Sequence, residues 1–184
     1  GIVYHGLGQY LGFDIKKVQD TGDIRADIAE RMETAIDLSD RYDFIHVHTK
    51  APDEAAHKKD PMLKKHVIEE LDRGLKRAVK DLKMRHDILT VVTADHSTPA
   101  GSVLVHSGET VPLILSGEGV RRDGVKKFNE VSAAAGCLGP VRGRELLYLI
   151  LNHCDRARLE GLRDIPADVK FWPGRYSPMR FSEE

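Results

Sequence analysis

Three short segments of this chain are rich in β-branched and apolar residues and almost free of charge. They are DFIHVHT at 43–49, DILTVVT at 87–93 and VPLILS at 111–116. Such runs are typical of strands that are buried on both faces of a parallel sheet. FDIKKVQ at 13–19 alternates in part between apolar and polar residues and predicts one more short strand. Because helical patterns separate several of these segments, the sequence predicts an α/β fold with a mostly parallel sheet.

Two of the intervening helices have clear start signals. Asp23 is a candidate N-cap for an amphipathic helix over about 23–42. Asp60 precedes Pro61, and this pair is typical of an N-cap followed by proline at the first helical position. The apolar stripe that follows predicts a long helix over 61–82.

The rest of the chain is less strongly patterned. Residues 2–11 predict a short helix that carries two glycines, and 145–153 predict a helix with an apolar face. Glycines punctuate 117–143, which we expect to be mostly loop. We therefore divide the chain into a domain at 1–153 and a partly irregular C-terminal extension at 154–184.

Carboxylates and imidazoles are concentrated where the predicted strands end. Asp53 and His57 follow the first of the three segments, Asp95 and His96 follow the second, and His106 precedes the third. Ligands of α/β sheets bind outside the carboxyl ends of the strands, so we expect these side chains to meet. Asp and neutral His are ligands of divalent ions such as Mn²⁺ and Zn²⁺. Since the adjacent Asp-His pair points in divergent directions, the pattern also allows two neighbouring ions.

Composition excludes some partners. The chain has 28 Lys plus Arg against 29 Asp plus Glu, a net charge of -1, which gives no general attraction to nucleic acid or an anionic membrane. No apolar run approaches the ~18 residues of a membrane span, and no signal peptide is visible. The two cysteines, Cys137 and Cys154, match no zinc or redox spacing. We expect inert buried thiols and a cytoplasmic location.

The same segments resemble a known family. DFIHVHTKAPDEAAH, then TVVTADHSTP, then HSGETVPLIL are similar to the metal motifs of the alkaline phosphatase superfamily. Within that superfamily, the flanking sequence is most similar to archaeal-type cofactor-independent phosphoglycerate mutases. The resemblance covers roughly residues 1–153. It implies the C-terminal part of an alkaline-phosphatase-like three-layer fold.

The resemblance also implies a ligand set. Asp53, His57 and His106 correspond to ligands of one metal ion, and Asp95 and His96 correspond to ligands of a second. The ions implied are two divalent metals, with Mn²⁺ favoured and Zn²⁺, Co²⁺ or Mg²⁺ as alternatives.

The implied activity belongs to an intact parent enzyme that interconverts 3-phosphoglycerate and 2-phosphoglycerate through a phosphoserine. The family takes its nucleophile and further ligands from an N-terminal half, and the chain begins at Gly1 without them. We therefore assign no catalytic nucleophile and expect the 184-residue chain alone to be inactive. A related phosphate- or phosphonate-ester hydrolase and a non-catalytic metal-binding domain stay open as alternatives. The partner implied is a small phosphorylated substrate, and the oligomeric state is open.

Other polar residues near these motifs have simpler interpretations. His46 and His48 alternate along the first β-rich segment, and we expect hydrogen-bonded sheet histidines, with support of the metal ligands as the alternative. Lys50 is equally compatible with a phosphate contact and a solvated surface position. Ser97 and Thr98 follow His96, and we expect them to cap or stabilise a turn.

Overall fold

The structure is a computed structural model that describes residues 2–156. The elements in chain order are α1 (Ile2–Tyr10), α2 (Ile24–Leu38), α3 (Ala51–His57), α4 (Pro61–Leu82), β1 (Thr90–Val92), β2 (Ile114–Ser116), α5 (Glu130–Ala133) and α6 (Gly143–His153). The extension predicted at 154–184 lies almost wholly outside the described residues.

The two predicted helix starts are confirmed by their hydrogen bonds. The Asp23 carboxylate accepts from the backbone N–H of Ala26 at 3.0 Å. The Asp60 carboxylate accepts from the N–H groups of Met62 at 2.9 Å and Leu63 at 3.1 Å. Each cap satisfies N–H groups that have no partner inside the helix, so the chain is fixed at the start of α2 and of α4.

The core of the described region lies where α2 and α3 pack on α4. Its buried apolar side chains are small or β-branched: Ile28, Ala55, Ala56, Val67, Ala78 and Ala100. Gly74 in α4 faces Ile28 and the backbone carbonyl of Arg25, and any side chain at this position would collide with both. The absence of a Cβ thus allows close approach of the two helices.

The sheet is smaller than predicted. β1 and β2 pair antiparallel, with Thr90 opposite Ser116 and Val92 opposite Ile114. Within residues 2–156 no strand forms at 13–19 or at 43–49, so those two strand predictions are wrong for this structure. A strand is held by hydrogen bonds to a neighbouring strand, and the described part of the chain supplies none to these segments. The mostly parallel arrangement therefore stays a prediction.

The remaining predictions have mixed outcomes. α1 and α6 confirm the helices expected near the start of the chain and before His153, while α5 adds a short helix within a stretch expected to be loop. Cys137 and Cys154 are both unpaired, but both are exposed, so the expectation of buried thiols is wrong. None of the helices described is both long and apolar enough to cross a bilayer.

Candidate metal centre

α3 places the first two candidate ligands side by side. Asp53 and His57 are four residues apart on this helix, which puts them on one face. The Asp53 Oδ1 atom lies 3.4 Å from His57 Nε2. The buried residues Ala55 and Ala56 lie between them in sequence and hold the opposite face of α3 against the core.

The loop after β1 brings the remaining candidates to the same place. An isolated antiparallel bridge pairs Ser97 with Ser107, and the Ser107 N–H donates to the Ser97 carbonyl at 3.1 Å. In that register Thr98 lies opposite His106. Two lysines fix the loop: Lys64, in the first turn of α4, donates to the Thr98 carbonyl at 2.6 Å, and Lys59, between α3 and α4, donates to the Pro99 carbonyl at 3.1 Å.

All five candidate ligands therefore form one cluster at the surface. The His106 ring centroid lies 5.3 Å from that of His57 and 4.1 Å from that of His96. His96 Nε2 is also 3.5 Å from Asp95 Oδ2. Ligand atoms of Asp53, His96 and His106 lie within 4.8 Å of one another, close enough to hold an ion. This trio takes members from both predicted ligand sets, so the division into two sets stays a prediction.

The donor set fits a divalent metal ion. Carboxylate oxygen and imidazole nitrogen together suit Mn²⁺, Zn²⁺ and similar ions. His96 and His106 are exposed, so an ion can reach them from solvent. Asp53 is less exposed, with 22% of its side chain accessible, which shields its charge from water on one side.

Thr98 connects the cluster, a role that the sequence analysis did not predict. The side chain is only 4% exposed. Its hydroxyl donates to Asp53 Oδ1 at 2.8 Å and lies 3.1 Å from His96 Nδ1 and 3.2 Å from His106 Nδ1. The prediction of a simple turn-stabilising residue is thus wrong. Only its position two residues after His96 signalled proximity to the site.

The surroundings favour the charged form of Asp53. Burial alone would raise the pKa of the Asp53 carboxyl. The Thr98 hydrogen bond and the nearby His57, His96 and Lys50 side chains outweigh burial, so the pKa of Asp53 lies below its ordinary value. An ionised carboxylate is the form that binds a metal ion.

Tyr4 of α1 is a second residue that the sequence analysis missed. Its phenol donates to Asp95 Oδ2 at 2.5 Å, although 91 residues separate the two in sequence. Burial and this carboxylate raise the pKa of Tyr4 to about 12. Burial would raise the pKa of Asp95, but the phenol hydrogen bond and other donors lower it overall. No short motif in α1 indicated this contact.

His48 lies behind Tyr4. The two rings are stacked, with centroids 3.8 Å apart and planes 30° from parallel, and Tyr4 also meets His46 edge-on at 5.7 Å. The His48 Nε2 atom is buried and finds no hydrogen-bond partner among the described residues. The expectation of a hydrogen-bonded sheet histidine is therefore wrong for this nitrogen. Burial lowers the pKa of His48, which keeps the ring neutral.

Comparison with known proteins gives a consistent family. The model of the metalloenzyme superfamily matches residues 12–153. Over 163 residues the chain is 47% identical to 2,3-bisphosphoglycerate-independent phosphoglycerate mutase 2 of Methanocaldococcus jannaschii, covering 88% of this chain and 34% of that protein. It is 36% identical over 157 residues to 2,3-bisphosphoglycerate-independent phosphoglycerate mutase of Pyrococcus furiosus, covering 85% of this chain and 38% of that protein.

A solved structure also matches. The PH0037 protein from Pyrococcus horikoshii has a TM-score of 0.78 and 33% sequence identity, over 86% of this chain and 48% of that one. This match supports an α/β fold. The chain thus spans about a third of the length of the curated relatives and about half of the solved structure.

Proposed function

The chain belongs to the metalloenzyme superfamily, and from that membership we propose that its Asp-His cluster binds divalent ions for phosphoryl transfer. The whole protein would then interconvert 3-phosphoglycerate and 2-phosphoglycerate, like the activity named for its archaeal relatives. The ions proposed are two, with Mn²⁺ favoured. The proposed ligands are Asp53, His57, Asp95, His96 and His106.

One observation carries this proposal: side chains from three separate segments converge on one small volume. Asp53 and His57 come from α3, Asp95 and His96 from the start of the loop after β1, and His106 from the returning part of that loop, next to Ser107 of the Ser97–Ser107 bridge. Convergence of carboxylates and imidazoles from distant segments is typical of active sites and rare among surface clusters that form by chance.

The cluster would supply ligands for a metal cation rather than a nucleophile. A bound divalent ion would neutralise charge on phosphoryl oxygens and favour displacement at phosphorus. The hydroxyls beside the cluster are already committed: that of Thr98 is buried and engaged with Asp53 and two imidazoles, and that of Ser97 faces Glu109. We therefore propose that the 184-residue chain alone binds ions without catalysing turnover.

Ion binding is tested on the full 184-residue chain by calorimetric titration with MnCl₂ after removal of metals. We expect saturable binding that Asp53→Ala weakens strongly. His86→Ala is the matched control, because His86 pairs with Glu118 at 3.3 Å on an exposed surface outside the cluster. Binding that is lost equally in the two variants, or absent from the unsubstituted chain, would contradict the metal site.

Activity is tested in a chimera, because the chain covers a third of its relative. This sequence would replace the corresponding region of the Methanocaldococcus jannaschii protein. We expect Mn²⁺-dependent conversion of 3-phosphoglycerate to 2-phosphoglycerate, lost with Asp95→Ala. A folded, ion-binding chimera that cleaves only a generic aryl phosphate would contradict the mutase proposal and favour the alternative of a related phosphate- or phosphonate-ester hydrolase.

A reducing, cytoplasmic location is part of the same proposal. It is supported by the two cysteines, Cys137 and Cys154, which are both unpaired and exposed. Exposed thiols of this kind persist in reducing compartments, whereas oxidising compartments favour pairing.

A further inference from the structure

The hydroxyl of Thr98 is surrounded by polar atoms of three candidate ligands. Asp53 Oδ1 lies 2.8 Å away, His96 Nδ1 3.1 Å away and His106 Nδ1 3.2 Å away. These are the same three side chains whose ligand atoms approach one another within 4.8 Å. The hydroxyl therefore contacts each member of the candidate ion-binding group formed by Asp53, His96 and His106.

The number of hydrogen bonds that each group can donate or accept determines which group is the donor in each contact. A hydroxyl has one hydrogen to give and two lone pairs to accept with. An ionised carboxylate can only accept, so the Thr98 hydrogen goes to Asp53. Both lone pairs are left for the imidazoles, and His96 and His106 must each supply an Nδ1–H.

That assignment leaves the other ring nitrogen free. An imidazole that carries its proton on Nδ1 presents the Nε2 lone pair, which is the form that binds a metal ion. The Nε2 atom of His96 lies 3.5 Å from Oδ2 of Asp95, another candidate ligand.

Thr98 is also held firmly enough to impose this geometry. Its side chain is 4% exposed. Its backbone carbonyl accepts from Lys64 Nζ at 2.6 Å, and the Ser97–Ser107 bridge fixes the residue opposite His106. A threonine on a mobile surface loop could not select a histidine tautomer in this way.

We propose that Thr98 is a positioning residue whose hydroxyl holds His96 and His106 in the Nδ1–H tautomer and links them to Asp53. The proposal rests on the proposed metal-binding function of this cluster. Through Thr98, the ligands assigned to one ion are coupled to a ligand assigned to the other. Partners of this kind typically change metal affinity by about 10–100-fold when removed.

The first test needs no metal. In metal-free chain labelled with ¹⁵N at histidine, long-range proton–nitrogen NMR distinguishes the two tautomers of each neutral ring. We expect the Nδ1–H tautomer at His96 and His106, assigned from single His→Gln variants. Thr98→Ser keeps the hydroxyl and should preserve it, whereas Thr98→Val keeps the shape and should release it. An Nε2–H tautomer at either ring in the unsubstituted chain would overturn the proposal even if Thr98→Val failed to fold.

The second test measures Mn²⁺ affinity of the same variants by calorimetry. We expect a loss of about 10–100-fold for Thr98→Val and a change of less than about 3-fold for Thr98→Ser. Thr34→Val in α2 is the matched control and should leave affinity unchanged. Unaltered tautomers and affinity in a folded Thr98→Val chain would overturn the positioning role. Thr98-dependent tautomers in a chain that binds no Mn²⁺ would support the hydrogen-bond role and contradict the proposed metal function.

Discussion

Gly74 of α4 lies directly against Ile28 of α2. A Cβ built on Gly74 would fall 2.4 Å from Ile28 Cγ2 and 2.6 Å from the Arg25 carbonyl oxygen. Cβ atoms essentially never lie so close to another heavy atom. The Arg25 carbonyl belongs to the backbone, so it cannot rotate away as a side chain can. The distance between α2 and α4 is therefore set by the absence of a side chain at residue 74.

Gly74→Ala should destabilise the chain despite the better helix propensity of alanine. Propensity alone would favour alanine by about 1 kcal/mol. Overpacking against Ile28 and the Arg25 carbonyl typically costs about 1–3 kcal/mol, so we expect a net loss in the free energy of unfolding. Urea denaturation followed by circular dichroism measures it.

Gly6→Ala is the matched control for that variant. Gly6 also lies within a helix, but nothing lies within 4 Å of the Cβ that alanine would add. We expect unchanged or slightly increased stability. Equal losses at Gly6 and Gly74 would show that the close approach of α2 and α4 is not the cause.

The Asp60 cap should contribute measurably to stability. Its carboxylate accepts from two N–H groups in the first turn of α4, those of Met62 and Leu63. Asp60→Ala leaves both without that partner and should lower the free energy of unfolding by about 0.5–2 kcal/mol. Asp60→Asn keeps an accepting oxygen and should lose much less. A loss of the same size in both variants would attribute the effect to charge instead of capping.

Local signals predicted the helices and the composition of the site. The Asp23 and Asp60 carboxylates accept hydrogen bonds from N–H groups only a few residues away, so the sequence alone was enough to locate both caps. Asp53 and His57 share a helical turn, and their adjacency follows from spacing. Contacts between residues far apart in the sequence could not be predicted from such local signals. The strand predicted at 43–49 depended on a partner strand that no local pattern can supply, and its Phe44 is 52% exposed.

The two missed site residues have the same explanation. Thr98 contacts His106 because the Ser97–Ser107 bridge closes the intervening loop, and Tyr4 contacts Asp95 although it lies 91 residues earlier in the sequence. Neither contact leaves a periodic or spaced signature in the sequence. What the sequence predicts well is therefore which residue types meet, and what it misses are the hydroxyls that orient them.

Asp27 should make stability depend on acid pH. The Asp27 carboxylate accepts from the Thr21 hydroxyl at 2.7 Å and the Thr21 N–H at 3.1 Å. The hydroxyl hydrogen bond is the main cause that holds the pKa of Asp27 below its ordinary value of 3.8. A lowered folded pKa gives stabilisation that is full above pH 3.8 and lost as pH falls through the folded pKa.

The variant Asp27→Asn should therefore flatten the acid limb of the stability curve. We expect its free energy of unfolding to fall less steeply below about pH 4 than that of the unsubstituted chain. Denaturant melts at a series of pH values measure the slopes. Asp14→Asn is the control, because Asp14 is exposed and its partner is the Tyr42 phenol. Parallel slopes for the unsubstituted chain and Asp27→Asn would contradict the contribution of Thr21.

Tyr4 should titrate later than an ordinary tyrosine. Burial first, then the Asp95 hydrogen bond, raise its pKa from 10.0 to about 12 in the metal-free chain. A raised folded pKa means that its stabilisation is full below pH 10 and lost as pH rises through 12.

Between about pH 9 and 11 a free phenol ionises, whereas Tyr4 should stay largely protonated. Removing it by Tyr4→Phe should thus leave the phenolate absorbance in that window nearly unchanged. Tyr10→Phe is the comparison variant, because Tyr10 is 87% exposed. Equal reductions in the two variants would show that the phenol of Tyr4 is not held by Asp95.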